Sequence, residues 1–185
     1  MAKIISVNIA RPQELSWRGR RVRTGIYKEP VPGPVAVHRL GLAGDLQADL
    51  RFHGGIQKAV YLYPNEHYEF WREELPGVEL LPGAFGENLT TQGLLENDTH
   101  IGDRLRVGSV IFEVTEPRSP CFKLALKFGR RDIVKRFLAS GRSGFYLAVV
   151  QEGEIESGLL IERISHDPQN PSIKQAFATN RTASA

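Results

Sequence analysis

Val110-Ile111-Phe112-Glu113-Val114-Thr115-Glu116-Pro117-Arg118-Ser119-Pro120-Cys121-Phe122-Lys123-Leu124 is the stretch from which the fold class follows. Apolar and polar residues alternate from Val110 to Thr115, the period of a strand with one buried face. Together with the residues before it, Asp103 to Glu116 reads as a hairpin turning at Gly108-Ser109. Pro117 and Pro120 end the strand, because proline fixes φ and has no N–H to donate. A helical pattern then runs from Phe122 to Phe128 and stops near Gly129. The chain's one cysteine, Cys121, stands at this strand-to-helix junction, beside Arg118 and near Lys123.

The same grammar holds on either side. Lys3 to Ile9 is rich in β-branched residues and predicts a strand, and Arg11 to Gly19 predicts a loop. Arg20 to Lys28 suits an edge strand, Glu29 to Pro34 an extended connector, and Val35 to Leu40 another strand. Gly41 to Gly55 reads as a long loop dense in glycine and charge, the kind that carries function. Ala59 to Tyr63 predicts a short buried strand. Asn65 to Leu75 places Tyr68, Trp71 and Leu75 on one helical face before Pro76-Gly77. Pro82 to Gly93 is turn-rich. Asp132 to Ser140 predicts a helix capped by Asp132 and ended by Gly141. Phe145 to Gln151 and Leu159 to Ile164 read as a last hairpin around Glu152-Gly153. This gives about eight strands against three short helices, with no βαβ alternation and no repeat. The fold class is mainly β: a barrel or strongly curved mixed sheet with a few short peripheral helices. Residues 1–165 form that domain; 166–185 form a short polar C-terminal tail, partly helical or disordered.

With 185 residues, 41% hydrophobic and 24% charged, the chain reads as an ordinary globular domain that needs no disulfide. No apolar run approaches the ~20 residues of a membrane helix, and no leader pattern is visible, so a cytoplasmic location is expected. The net charge is +3, and the basic residues cluster: Arg18, Arg20, Arg21 and Arg23 in one group, Lys127, Arg130, Arg131, Lys135 and Arg136 in another. The plain reading is a well-solvated surface and the sharper one an anionic partner; with no aromatic-studded nucleic-acid module, that partner would be a small anion rather than DNA or RNA.

Three stretches carry candidate chemistry. Cys121 is either a nucleophile or soft metal ligand whose anion is favoured by Arg118 and the helix start, or a small buried hydrophobe in line with Leu124, Ala125 and Phe128. A thiol hydrolase would need a histidine, and His38, His53, His67, His100 and His166 are all available. In the second stretch Asp45, Asp49 and His53 are metal-ligand types, with turn hydrogen bonds and ion pairs the plainer reading, while Gly54-Gly55 would let backbone N–H groups approach an anion. In the third, Asn88 either contacts a heterocycle or caps its own turn.

Taken together, four segments resemble the MOSC domain, the module of the molybdenum cofactor sulfurase C-terminal region. They are Ser16 to Lys28 with Gly33-Pro34-Val35; Gly44 to Gly55 with Lys58 to Tyr61; Gly86 to Thr90 with Ile101-Gly102-Asp103; and Pro117 to Lys123. The likeness is greatest to small stand-alone bacterial members that confer resistance to N-hydroxylated base analogues. The resemblance implies a β-barrel and a molybdenum cofactor (molybdopterin) as ligand. It implies that Cys121 ligates molybdenum or carries sulfur as a persulfide, and that Ser119 and Pro120 line the cofactor. Arg118, Arg51 and Lys28 become partners for the pterin phosphate, and His53, Asp45 and Asn88 fall on the family's polar positions, His53 and Asp45 as catalytic candidates. The implied activity is reduction of N-hydroxylated compounds; the alternative is a sulfur-transfer module. The implied partners are an electron-donor protein or a cysteine desulfurase, a pyridoxal phosphate enzyme separate from this chain. Relatives carry a C-terminal helical appendage that is expected to be missing or vestigial here.

Overall fold

A computed structural model describes residues 1–45 and 54–183. Its strands are β1 (Ala2–Ile9), β2 (Gln13–Trp17), β3 (Arg20–Thr24), β4 (Glu29–Pro30), β5 (Val35–His38), β6 (Gly41–Leu42), β7 (Val60–Pro64), β8 (Leu89–Gln92), β9 (Arg104–Val107), β10 (Val110–Pro117), β11 (Phe145–Gln151), β12 (Gly153–Ile155) and β13 (Leu160–Ser165). The helices are α1 (His67–Glu74), α2 (Phe122–Phe128), α3 (Ile133–Ser140) and α4 (Ile173–Ala183).

Seven strands close a mixed barrel in the order β13-β9-β10-β11-β7-β8-β1, with β1 returning to β13 through Ala2↔Ile161 and Lys3↔Leu160. The opening hairpin forms as its alternation requires. Val110, Phe112 and Val114 are buried, Ile111, Glu113 and Thr115 less so, and the chain turns at Gly108-Ser109. The mainly-β expectation therefore holds, and the mixed character comes from one parallel pair, β7 with β8 (Leu62↔Leu89). Parallel neighbours need a crossover, and the segment carrying α1 supplies it. One βαβ unit is thus present that the sequence reading did not foresee.

Strand β7 is buried on both faces and divides two cores. Val60 and Leu62 join Ile4, Leu89, Phe112 and Leu147 in the barrel core. Tyr61 and Tyr63 point the other way, into an aromatic cluster with Tyr68, Trp71, Phe85 and Phe137 beneath α1 to α3. Trp71 donates its indole N–H to the Tyr63 hydroxyl (2.7 Å), so the buried polar tips are paired.

Several sequence expectations are corrected. Residues 11–19 are not all loop, because Gln13–Trp17 pairs with Arg20–Thr24. The turn-rich Pro82 to Gly93 contains barrel strand β8. The last hairpin does not exist: β11 pairs with β10 and β7, β12 with β5, and β13 with β9 and β1. Asp132 precedes α3 but makes no side-chain cap; its carboxylate takes Arg130 (2.8 Å) and Arg136 (2.7 Å) instead. After β13 the chain leads into α4, in which Ile173 joins the barrel core and Phe177 is also buried. No described helix is long and apolar enough to cross a membrane.

Candidate functional site

The β10–α2 junction forms one wall of a cleft. Arg118, Cys121 and Lys123 line it, facing Tyr61 of β7, Tyr146 of β11 and Lys58. Thr24, Gly25, Ile26 and Lys28 close the opposite side, and Gly86, Asn88 and Asp45 lie at its base. Three separate sequence stretches thus meet because β7, β10 and β11 are neighbours in the barrel and α2 starts where β10 stops.

The base is a hydrogen-bonded block. Asn88 accepts the Tyr61 N–H at its side-chain oxygen (3.1 Å) and donates to the Asn8 carbonyl (3.3 Å) and to Asp45 Oδ2 (2.9 Å). Asp45 also accepts the Ala10 N–H (2.8 Å) and both bonds from Lys28 Nζ (2.5 and 2.6 Å). Burial pushes the Lys28 pKa down, and Asp45 works against that shift. Asp45 therefore has its oxygens occupied and fixes the loops around Lys28. Deeper still, the buried Glu87 accepts from the Tyr68 hydroxyl, the Gly83 and Phe85 N–H groups (2.8 and 3.0 Å) and Thr90 Oγ1 (2.9 Å).

Arg118 is the main charge of the wall. Its guanidinium donates to the Phe85 carbonyl (2.5 Å) and lies 4.6 Å from the Tyr61 ring centroid. It is 7% exposed, and among the described residues no carboxylate pairs with it. Lys123, 9% exposed, likewise has no carboxylate partner among the described residues. Lys58 sits 3.4 Å from Glu116 and over the Tyr146 ring. Buried charge is costly unless it is paired, and among the described residues the partners of Arg118 are a carbonyl and an aromatic face rather than a carboxylate. Burial raises the pKa values of Tyr61 and Tyr146, so both walls stay neutral phenols.

Cys121 is half-buried, outside any disulfide, and occupies the residue before α2 with extended backbone (φ −124°). It shares the cleft with Arg118, as the sequence suggested, together with Lys28, Asp45 and Asn88. Ser119 is exposed, and neither Ser119 nor Pro120 lines the cleft. His53 and Arg51 lie outside the described residues. Sequence reasoning gave Tyr61, Tyr146 and Lys58 no part in the site. The signal for Tyr61 was there: Val60-Tyr61-Leu62-Tyr63 alternates aliphatic with aromatic, so the strand faces two different interiors. Three members of the second basic cluster are engaged within the protein. Arg136 pairs with Asp132 and Glu74 (2.7 Å each), Arg130 pairs with Asp132, and Lys127 donates to the Ile26 and Gly83 carbonyls.

A closed mixed barrel with a cation-walled cleft and one cysteine lining it defines the class of small barrel protein to which the chain belongs. Comparison with known proteins gives the family. The sequence pattern of the MOSC domain matches residues 49–162. YflK of Bacillus subtilis is 42% identical over 177 residues, covering 96% of this chain and 80% of that protein. A protein of Gibberella moniliformis named "Reductase" is 39% identical over 143 residues, 76% of this chain but 25% of its own length. The crystal structure of YiiM from Geobacillus stearothermophilus superposes with a TM-score of 0.81 at 36% identity, covering 97% of this chain and 84% of that one. The chain belongs to the MOSC domain family.

Proposed function

We propose that the cleft binds the molybdenum cofactor, with Cys121 as ligand to the metal, and that the protein reduces N-hydroxylated compounds. The observation that carries this reading is the placement of a half-buried thiol beside a buried guanidinium that no described carboxylate pairs with. The donor set fits the group: a thiolate suits a soft, thiophilic metal centre, and a planar guanidinium suits a phosphate oxygen pair. Arg118 and Lys123 would hold the pterin phosphate, and Cys121 would face the metal. Lys28, already bonded twice to Asp45, would shape the floor instead. When bound, the cofactor supplies an electron pair that, with two protons, turns an N-hydroxyl group into an amine and water. The electrons come from a separate donor protein. The neutral Tyr61 and Tyr146 rings give a planar heterocycle apolar walls and leave the charge of Arg118 undiminished. The fungal relative named as a reductase supports a redox role.

A second reading rests on the partial exposure of Cys121: the thiol receives sulfur as a persulfide from a cysteine desulfurase and passes it on. Expression in an anaerobic, cofactor-competent host followed by metal analysis and mass spectrometry separates the two. Wild-type protein is expected to carry molybdenum, and Cys121→Ser to lose most of it. Wild type without molybdenum overturns the first reading; a persulfide on Cys121 in that same sample establishes the second.

A further inference from the structure

At the end of the barrel where α4 docks, two chain segments bring together side chains that the cleft does not use. His100 and Asp103 lie in the turn before β9, and His166 follows β13. One ligand atom from each lies within 4.8 Å of the others. The two imidazole rings meet edge to face, 4.7 Å between centroids. Asp103 is fully buried, and its Oδ1 faces His166 Nδ1 at 2.7 Å. Its other oxygen accepts the His100 N–H (3.0 Å) and sits 3.5 Å from Arg163 Nε. These partners hold the carboxylate in orientation, as the outer contacts of a metal ligand do. His100 Nδ1 is buried and has no hydrogen-bond partner. His100 thus keeps one ring nitrogen uncommitted within a cluster that holds a second imidazole and a buried carboxylate.

We propose that His100, Asp103 and His166 bind a divalent ion of the zinc class, with water in the fourth position. Two imidazoles and one carboxylate are a borderline donor set, suited to zinc and poorly suited to calcium or magnesium. Ligands on one tetrahedral zinc ion stand about 3.4 Å apart, given bonds of about 2.0–2.2 Å, so a small side-chain adjustment closes the set. His166 is 34% exposed along its side chain and offers the way in. The ion would join the turn before β9 to the segment after β13, where the Ile101 N–H already bonds the Pro171 carbonyl (3.1 Å) and the Ile173 N–H the Thr99 carbonyl (2.8 Å). Its role is to fasten the C-terminal segment to the barrel, away from the cleft.

Zinc titration against a chromophoric chelator tests this, using full-length Cys121→Ser protein so that the cleft thiol takes no part. One equivalent is expected to bind with a Kd in the micromolar range or tighter, and to raise Tm by several degrees. His166→Ala and His100→Gln should each weaken binding at least tenfold and abolish the Tm rise. His166 is partly exposed, so its substitution leaves the fold in place, as the melting curve in chelator verifies. Equal zinc affinity with and without these substitutions, or no binding by the parent, overturns the proposal. The titrated protein lacks the cleft thiol, so neither result bears on the reading of the cleft and the two tests stand apart.

Discussion

Lys127 illustrates how a residue's surroundings outweigh its sequence neighbours. It stands in a basic run and looks like part of a cationic surface, yet its ammonium reaches inward to the Ile26 carbonyl (3.0 Å) and the Gly83 carbonyl (2.6 Å). Burial pushes its pKa down to about 8, against the attraction of Glu87. The unfolded chain therefore holds this proton to higher pH than the folded chain. The contribution of Lys127 to stability is expected to rise with pH between about 8 and the ordinary lysine value near 10.5, by up to roughly 3 kcal/mol at about 1.4 kcal/mol per pH unit. Urea unfolding of wild type and Lys127→Met across that window isolates the effect from other titrating groups. The difference should shift in favour of wild type as pH climbs; a difference that stays flat would show that Lys127 is not desolvated. Asn88 makes the complementary point. Its reading as a turn cap was too local, since its amide joins Asn8, Tyr61 and Asp45 from three distant segments.

At the scale of elements, β7 and β11 approach closely at one point, and a glycine makes that possible. Gly144, with φ +59°, precedes β11; a Cβ there would overlap the Leu62 carbonyl oxygen and lie 2.8 Å from Tyr63 Cδ2. Gly144→Ala should cost about 2–5 kcal/mol, from the left-handed backbone and the collision with a neighbouring strand. Chemical denaturation measures this directly, and a loss under about 1 kcal/mol would mean that the strands can separate locally. The contrast with what the sequence discloses is instructive. The β9–β10 hairpin, α2, and α3 with its Gly141 end were readable because their signals are local: alternation, a turn pair, a helical face. Strand β8 was not, because it emerges directly from Gly86-Glu87-Asn88, whose composition says turn. The supposed last hairpin failed for a deeper reason. Strands β11, β12 and β13 are adjacent in sequence, but each finds its partner elsewhere, and barrel closure is a pairing of remote segments that no local pattern encodes. The cleft follows the same division. Cys121 and Arg118 share one junction and were read together; Tyr61, Tyr146 and Lys58 join them only through the strand order.

At the scale of the whole molecule, part of the segment after His166 packs on the barrel although its composition is polar. Polar residues, Pro168 and Pro171 suggest a tail, but Ile173 is 0% and Phe177 3% exposed, with Ile173 part of the barrel core. Burying two such side chains contributes about 3–6 kcal/mol, against which stands the entropy of ordering the segment. Backbone bonds add to this, because the Ile101 N–H and the Thr99 carbonyl both find their partners in residues 171–173. Removing the segment would leave those groups, together with the apolar surface under α4, facing water. Ending the chain after Asp167 keeps His166 in place, and melting in chelator removes any contribution from an ion. Under those conditions the shortened protein should lose at least about 5 °C in Tm, taking about 2–4 °C per kcal/mol for a domain of this size. A truncated chain that melts within a degree of the full one would make α4 an appendage resting on a self-sufficient barrel. The expected loss would instead make the α4 segment a working part of the wall that closes the barrel's end.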